Sequence, residues 1–115
     1  MNPDSKFDLI VTIVNKGTCQ TIIKASKKAG AEGGTIVMGR GTGIRENKTL
    51  LGIPIEPEKE IVLTIVPEDM TEKVLSAIVE DGKLNQPGAG IAFVLDLKKV
   101  TGICHLCETD SVQPV

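Results

Sequence analysis

Aromatic side chains are almost absent from this chain of 115 residues, which has two phenylalanines and neither tryptophan nor tyrosine. Protein sheets that read single-stranded RNA stack the bases on aromatic side chains, so this scarcity argues against a nucleic-acid reader. The formal net charge is −2 and the basic residues are dispersed, so no electrostatic footprint for a duplex is evident. The core must instead be aliphatic, as in a sheet packed on helices.

Long hydrophobic runs and catalytic groups are also scarce. No apolar run approaches the roughly 20 residues needed to span a bilayer, and no signal-peptide pattern opens the chain, so we expect a cytoplasmic protein. A single histidine, with no nucleophile elbow and no repeated carboxylate motif, predicts no catalytic residues and argues against an enzyme. Three cysteines, an odd number without an export signal, argue against a disulfide framework.

What the chain does contain is an internal duplication. Residues 9–14 and 61–66 are both apolar, β-branched segments that include Thr-Ile-Val. Each is followed by a helical pattern, a glycine-bearing turn and a second β-branched run. The sequence therefore predicts strand–helix–strand twice over, in a single domain spanning residues 1–115.

Hydrophobic periodicity, together with the capping, glycine and proline residues that interrupt it, sets the expected bounds of the helices and strands. Thr18 is the predicted N-cap of a first helix over 19–29, which Gly30 ends, and Pro67 opens the second helix. This order predicts an α+β, ferredoxin-like βαββαβ fold with a four-stranded antiparallel sheet and two helices on one face. The other face would stay apolar, which predicts a closed homo-oligomer. The predicted strands are 7–14, 35–38, 60–66 and 91–97.

Two glycine-bearing connections separate these elements. The first, residues 39–58, has neither helical nor strand period, and connections of that length are usually functional or disordered. A solvated hairpin extension is the alternative. In this loop and in the second, residues 82–90, backbone N–H groups of glycine can approach phosphate oxygens because no Cβ intervenes, although glycine could equally serve as a turn residue. The glycines concerned are Gly39, Gly41, Gly88 and Gly90.

Three short segments border these connections. They are Thr-Ile-Val-Met-Gly-Arg-Gly at 35–41, Ile-Val-Pro-Glu-Asp at 65–69 and Gly-Ala-Gly-Ile-Ala-Phe-Val at 88–94. Together they resemble the P-II nitrogen-regulatory signalling proteins and their P-II-like relatives over about residues 7–104. The resemblance implies a homotrimer that binds a nucleotide in clefts between subunits. It also implies that a long T-loop, here about 40–59, engages a partner such as a membrane transporter or a metabolic enzyme.

The resemblance assigns residues of this chain to two sites. An adenine nucleotide (AMP, ADP, ATP or a cyclic form) would lie against both loops as an effector, and the outer part of the T-loop would contact the partner. The predicted nucleotide-binding residues are Gly39, Arg40, Gly41, Thr42, Lys83, Gly88, Ala89 and Gly90. The predicted partner-binding residues are Arg45, Glu46, Lys48, Leu50 and Leu51.

Three departures from the family pattern bear on the ligand. Ile91 stands where P-II proteins usually have a lysine, and Gly102 and Cys104 stand where they usually have arginines. Each such charged hydrogen bond contributes about 1.5–3 kcal/mol, so the three losses amount to about 5–9 kcal/mol, enough to abolish tight triphosphate binding of the usual type. Either other basic residues substitute, or the ligand carries less phosphate charge, which we favour. The candidate substitutes are Arg40, Arg45, Lys83, Lys98 and Lys99.

The tail, residues 98–115, contains the sequence Cys-His-Leu-Cys at 104–107. This spacing suits either a redox-labile Cys104–Cys107 disulfide or half of a metal site, and reduced cysteines in an ordinary tail are the alternative. A structural zinc site needs four ligands, and Cys19 and acidic groups are the only further candidates, so we predict no metal site. Cys19 itself is predicted to be a small core residue.

One further functional class stays open beside the regulator. Trimeric metal-binding or structural proteins of the CutA type share the expected fold. Tight uptake of a divalent metal without nucleotide affinity would distinguish them from a nucleotide-gated regulator.

Overall fold

A computed structural model describes residues 6–42 and 48–102, with 48–50, 54 and 55 described by their backbone alone. The helices in these ranges are α1 (Cys19–Lys28) and α2 (Thr71–Gly82), the latter preceded by a 3-10 turn at Glu68–Met70. The strands in these ranges are β1 (Phe7–Asn15), β2 (Thr35–Arg40), β3 (Lys48–Leu50), β4 (Ile53–Ile55), β5 (Glu58–Pro67) and β6 (Gly90–Leu97).

Four of the strands form one antiparallel sheet in the order β2-β5-β1-β6. Strands β1 and β5, which each carry one copy of the Thr-Ile-Val segment, pair with each other at the centre of the sheet. Both helices pack on one face, so the structure confirms the ferredoxin-like βαββαβ fold. The order follows from the duplication, because each strand–helix–strand unit places its second strand outside the first strand of the other unit.

The core lies between the helices and one face of the sheet. Ile10 and Val62 are fully buried there against Ile22 of α1 and Ile78 of α2. Burying such an aliphatic side chain contributes about 1.5–3 kcal/mol, so this layer supplies much of the driving force for folding. Val14, Cys19, Val66 and Val74 complete the buried cluster.

The opposite face of the sheet is apolar, as the sequence predicts, and we call it the open face. Alternation along the strands turns Val11 of β1 toward it, and Val11 lies directly opposite Phe93 of β6. Phe93 is 41% exposed and Leu95 is 48% exposed. Contiguous apolar surface of this kind is typical of an interaction site.

The long connection differs from the sequence-based expectation. Residues 48–50 and 53–55 pair as the hairpin β3–β4, where the sequence predicts no regular structure. Strands of three residues are too short to show a period of two, which is why the pattern missed them. Pairing with β5 also extends β2 to Arg40, which lies opposite Glu58, beyond the predicted end at 38.

The start of the second helix also differs. Pro67 is the last residue of β5 rather than the first of a helix, and a 3-10 turn separates it from Thr71. The Glu68 N–H donates to the Lys6 carbonyl at 3.0 Å, which keeps the strand geometry through Pro67. The acidic residues Glu68 and Asp69 therefore belong to the 3-10 turn, and the α-helix begins at Thr71, four residues after Pro67.

Two buried threonine hydroxyls lead to a stability prediction. Thr12 and Thr64 are fully buried between sheet and helices, and neither Oγ1 has a hydrogen-bond partner in the described part of the chain. An unpaired buried hydroxyl costs about 1–3 kcal/mol. Thr64→Val and Thr12→Val are therefore each expected to raise the free energy of unfolding by about 1 kcal/mol. Chemical denaturation measures this, with Thr21→Val on the exposed side of α1 as the matched control; unchanged or lowered stability would contradict the prediction.

Candidate functional site

Both glycine-bearing loops reach the same edge of the sheet. The long loop leaves the end of β2 and returns at the start of β5. The second loop connects the end of α2 to the start of β6. The Gly41 N–H donates to the Pro57 carbonyl oxygen at 3.1 Å and closes the base of the long loop. At the same edge β1 ends, with Val14 opposite Gly90 and Asn15 opposite Lys59.

The glycines at this edge have different structural roles. At Gly90, with φ of +144°, an added Cβ would lie 2.5 Å from the Ile13 carbonyl oxygen. Sheet packing therefore requires glycine at this position, and a larger residue would disturb β1 as well as any ligand contact. At Gly41 an added Cβ would meet no heavy atom within 4 Å, and φ is ordinary. A side chain added at Gly41 would therefore not strain the fold, so any effect of it on ligand binding would show that the ligand lies close to Gly41.

Asn15 is the side chain that joins the two loops. The Lys59 Nζ donates to Asn15 Oδ1 at 2.6 Å, and Asn15 Nδ2 donates to the Gly88 carbonyl oxygen at 3.1 Å. Lys59 stands at the base of the long loop, while Gly88 lies within the second. Asn15 lies just beyond the predicted end of the first strand at residue 14, and nothing in the sequence around it indicates that its amide reaches two loops.

Cationic side chains outnumber anionic ones around the junction. Lys16 Nζ lies 2.9 Å from Glu58 Oε2 in an exposed ion pair. The hydrogen bond from Lys16 and its charge lower the pKa of Glu58, with a smaller contribution from Arg40, and the same contact raises the pKa of Lys16. Lys59 adds a third cation to Lys16 and Arg40, against the carboxylates of Glu58 and of Glu60, whose charge also acts on Lys16. This surplus favours an anionic ligand.

The amino-terminal end of α1 is occupied by a carboxylate of the protein itself. Glu60 Oε1 accepts hydrogen bonds from the backbone N–H groups of Gly17, Thr18 and Cys19 at 2.9, 3.0 and 2.8 Å. The bond from the Cys19 N–H is the main cause of a lowered pKa at Glu60, and it outweighs the opposing effect of burial. The predicted N-cap is corrected accordingly: Thr18 holds the N-cap position but makes no side-chain cap, because Glu60 fills the site.

The same carboxylate defines the environment of Cys19. Burial raises the pKa of the Cys19 thiol, and the hydrogen bond and negative charge of Glu60 raise it further. A buried thiol kept protonated is a poor nucleophile. Its position in the core cluster agrees with the predicted role of Cys19 as a small core residue.

The predicted nucleotide-binding residues fall into two groups at this edge. Residues 39–42 run from the end of β2 into the long loop. In the second loop, Lys83 is exposed in a left-handed conformation at the end of α2, and the Ala89 N–H donates to the Gln86 carbonyl oxygen at 3.2 Å. Lys98 and Lys99 follow the far end of β6. The length of that strand separates them from the second loop of their own subunit by about 25 Å, so they cannot reach that loop.

Several predicted residues are not open to structural comparison. Arg45 and Glu46 lie outside the described residues, as do Cys104 and Cys107, so the redox pair stays a prediction. Lys48 and Leu50 are placed by backbone alone in β3. Leu51 is 93% exposed in the turn between β3 and β4.

Three carboxylates gather at the opposite end of β1. Asp8, Glu68 and Asp96 offer oxygen atoms that all lie within 4.8 Å of one another, a geometry that could hold a cation. The Thr71 hydroxyl donates to Asp8 Oδ2 at 2.6 Å. Asp8 is seven residues from Asn15 along one strand, or about 23 Å, so this cluster is separate from the junction of the loops.

A ferredoxin-like sheet whose two glycine-bearing loops meet at one edge defines the architectural class of this chain. Within that class, the chain belongs to the family described as "Nitrogen regulatory protein P-II", whose model matches residues 7–105. Members of this family are regulatory signalling proteins rather than enzymes. The match favours the P-II interpretation over the CutA alternative.

Individual relatives agree with this assignment. The chain is 30% identical over 104 residues to a nitrogen regulatory protein P-II homolog of Arabidopsis thaliana, covering 85% of this chain and 53% of the relative. The chain thus spans about half the length of that relative. The fold also matches a crystal structure of Arabidopsis thaliana PII bound to citrate, with a TM-score of 0.68, 26% identity, and coverage of 98% of this chain and 97% of the other.

A second solved structure shows how widely the architecture is used. A Bacillus cereus protein related to NIF3 matches with a TM-score of 0.62 and 21% identity, over 83% of this chain and 26% of the other. At that identity the likeness concerns the fold alone. Among the described residues, neither helix is long and apolar enough to cross a membrane.

Proposed function

We propose that this chain is a homotrimeric P-II-like signalling regulator, acting in the cytoplasm, that binds an adenine nucleotide and controls a partner through its long loop. The observation that carries the proposal is the junction of the two loops at one cationic edge of the sheet, where Asn15 contacts both Lys59 and Gly88. A ligand that touches the second loop there is adjacent to the base of the long loop. The function needs binding surfaces and no catalytic group, so we propose no enzymatic activity.

The open face supports the proposed trimer. The exposed Ile91 and Leu95 of β6 lie opposite the half-buried Ile13 and Leu9 of β1, so apolar surface continues from one strand to the next. Other copies of the chain would bury such a face, and closed symmetry would bury it equally in every copy. Subunits that meet through the sheet place the glycine-bearing edge of each beside its neighbour, which would create the nucleotide clefts.

The basic groups at the edge favour a ligand with few phosphates. Arg40, Lys59 and Lys83 lie in or beside the two loops of one subunit, whereas Lys98 and Lys99 lie at the far end of β6. With Ile91 in place of the family's usual lysine, this set suits a mono-, di- or cyclic nucleotide better than a triphosphate. The citrate in the Arabidopsis structure shows a small anion bound to that relative, and a nucleotide phosphate would supply comparable negative charge here.

The long loop supports the proposed contact with a partner. Its hairpin β3–β4 carries Leu51 and Ile53, which are 93% and 65% exposed. Apolar side chains on a projecting hairpin are typical of a surface that is covered by a partner. We propose that this hairpin, with Arg45, Glu46, Lys48 and Leu50, contacts a membrane transporter or a metabolic enzyme.

The direct test is binding by the full chain. Isothermal titration calorimetry with AMP, ADP, ATP and cyclic AMP should show at least one ligand that binds, with ATP not the tightest. Sedimentation should give a mass of about 37 kDa, three times the 12.2 kDa of the chain. Absence of heat and of thermal stabilisation with all four nucleotides would remove the proposed effector.

Gly41 provides the sharpest test of where the nucleotide binds. Gly41→Ala is expected to weaken the best nucleotide about tenfold, or about 1.4 kcal/mol, because a Cβ there projects into open space at the loop junction. Titration calorimetry of the variant measures this change. Gly33→Ala is the matched control, since a Cβ at Gly33 also meets no heavy atom within 4 Å but lies before β2. Equal affinity in both variants would place the ligand elsewhere.

A further inference from the structure

We propose that Asn15 is a positioning residue that couples the second loop to the base of the long loop. The coupling is a property of the protein without ligand. Its use in signalling rests on the proposed function, in which a ligand at the second loop would change the long loop through this side chain.

The position of Asn15 in the sheet places it between the loops. It is the last residue of β1 and pairs with Lys59 on β5, while β6 begins one residue short of it, at the Val14–Gly90 pair. No strand residue of β6 lies opposite Asn15, so its side chain meets the second loop instead. Lys59 in turn pairs with Gly39 at the other end of the long loop. A single row across the sheet therefore runs from Gly39 through Lys59 and Asn15 to Gly88.

The chemistry of the amide fits this position. Asn15 Oδ1 accepts from the Lys59 ammonium at 2.6 Å, and Nδ2 donates to the Gly88 carbonyl oxygen at 3.1 Å. A side-chain amide offers a strong acceptor and a strong donor on one planar group. A carboxylate would keep the contact with Lys59 but repel the Gly88 carbonyl. An aliphatic side chain would lose both contacts.

The fold limits other movements at the same edge. The start of β6 is held against β1, since even a Cβ at Gly90 would contact the Ile13 carbonyl oxygen at 2.5 Å. The base of the long loop is closed by the bond from the Gly41 N–H to the Pro57 carbonyl oxygen. With both anchor points fixed, a shift of Gly88 must be accommodated by Asn15, and Asn15 transmits it to Lys59.

The test uses amide hydrogen exchange of the full chain without ligand. The reporter is the Ala89 N–H, which follows Gly88 and is protected by its bond to the Gln86 carbonyl oxygen. One neutral hydrogen bond stabilises by about 0.5–1.5 kcal/mol, so Asn15→Ala and Asn15→Asp should each speed exchange at Ala89 about 2- to 12-fold. Asn85→Asp, the same change from amide to carboxylate at an exposed loop position, should leave the rate within about twofold.

The decisive variant is Lys59→Met, because Lys59 acts on Ala89 only through Asn15 in this proposal. Lys59→Met alone should speed exchange at Ala89, and the double variant Asn15→Ala/Lys59→Met should exchange no faster than Asn15→Ala. An unchanged rate in Lys59→Met, or the same acceleration with and without Asn15, would overturn the proposal. Thermal melts confirm that each variant is folded.

A second measurement separates this inference from the proposed function. If a nucleotide binds, its effect on exchange in residues 48–55 should be present in the wild type and lost in Asn15→Asp. If the effect persists in Asn15→Asp, the coupling does not run through Asn15. If no nucleotide binds, the proposed function fails. The exchange rates of Asn15→Ala, Lys59→Met and the double variant without ligand still show whether Asn15 couples the two loops.

Discussion

Phe93→Glu is expected to convert the protein to monomers and to abolish nucleotide binding. Phe93 lies on the open face midway along the edge strand β6, opposite Val11, and in the proposed trimer it is buried between subunits. A carboxylate buried in an apolar interface without a partner costs several kcal/mol. We expect association to weaken at least 100-fold, about 2.7 kcal/mol. Sedimentation velocity over a range of concentrations measures the change.

The neighbouring residue provides the control for this prediction. Val94 lies next along the same strand on the opposite face and is 36% exposed, against 41% for Phe93. Val94→Glu should remain a trimer and should still bind nucleotide, because its side chain points away from the open face. If Phe93→Glu is still trimeric, or if the two variants dissociate equally, the open face is not the interface between subunits.

Glu60→Ala is expected to lower the free energy of unfolding by about 3 kcal/mol. The substitution leaves three backbone N–H groups at the start of α1 without the carboxylate that now accepts from them. Hydrogen bonds to a charged group contribute about 1.5–3 kcal/mol each, and water recovers part of the loss at the less buried ones. Glu60→Gln keeps one acceptor oxygen and should cost about 1–2 kcal/mol. Urea denaturation measures both.

The effect of Glu60 should also depend on pH in a defined direction. Hydrogen bonding lowers the pKa of Glu60 in the folded protein, so its stabilisation is present above the unfolded pKa of about 4.3. It is lost as the pH falls through the lower folded pKa. The difference in stability between the wild type and Glu60→Gln should therefore shrink as the pH is lowered from 7 toward 3.

Glu58→Gln is the matched control, two residues away on β5. Its ion pair with Lys16 is exposed, and exposed pairs contribute little to stability because both charges stay solvated. The pKa of Glu58 is also lowered, but solvent screening should keep its effect on stability small. If Glu58→Gln is as destabilising as Glu60→Gln, the buried cap is not the source of the stabilisation.

Much of the fold could be predicted because it depends on local pattern. The Thr-Ile-Val duplication and the helical periodicity that follows each copy gave the element order, the antiparallel sheet and the apolar open face. Element ends were less accurate. Pairing extends β2 to Arg40 and begins β5 at Glu58, and such pairing depends on a partner strand that is distant in sequence.

The candidate site was predicted only in part. Glycine-bearing loops and their resemblance to the P-II family identified Gly41 and Gly88 as candidates. Asn15 and Glu60 were missed, because each makes its contacts with residues more than 40 positions away. A sequence with a polar residue at the end of a strand gives no indication of which distant loop that residue will meet.

The sequence by itself determined the duplicated strand–helix–strand order, the aliphatic core and the membership of a family, since periodicity and short motifs are properties of neighbouring residues. Only the tertiary structure decided which carboxylate caps α1, why Gly90 must be glycine and how Asn15 joins two loops. Those features depend on distances across the sheet, and folding sets such distances by bringing together β1, β5 and the second loop.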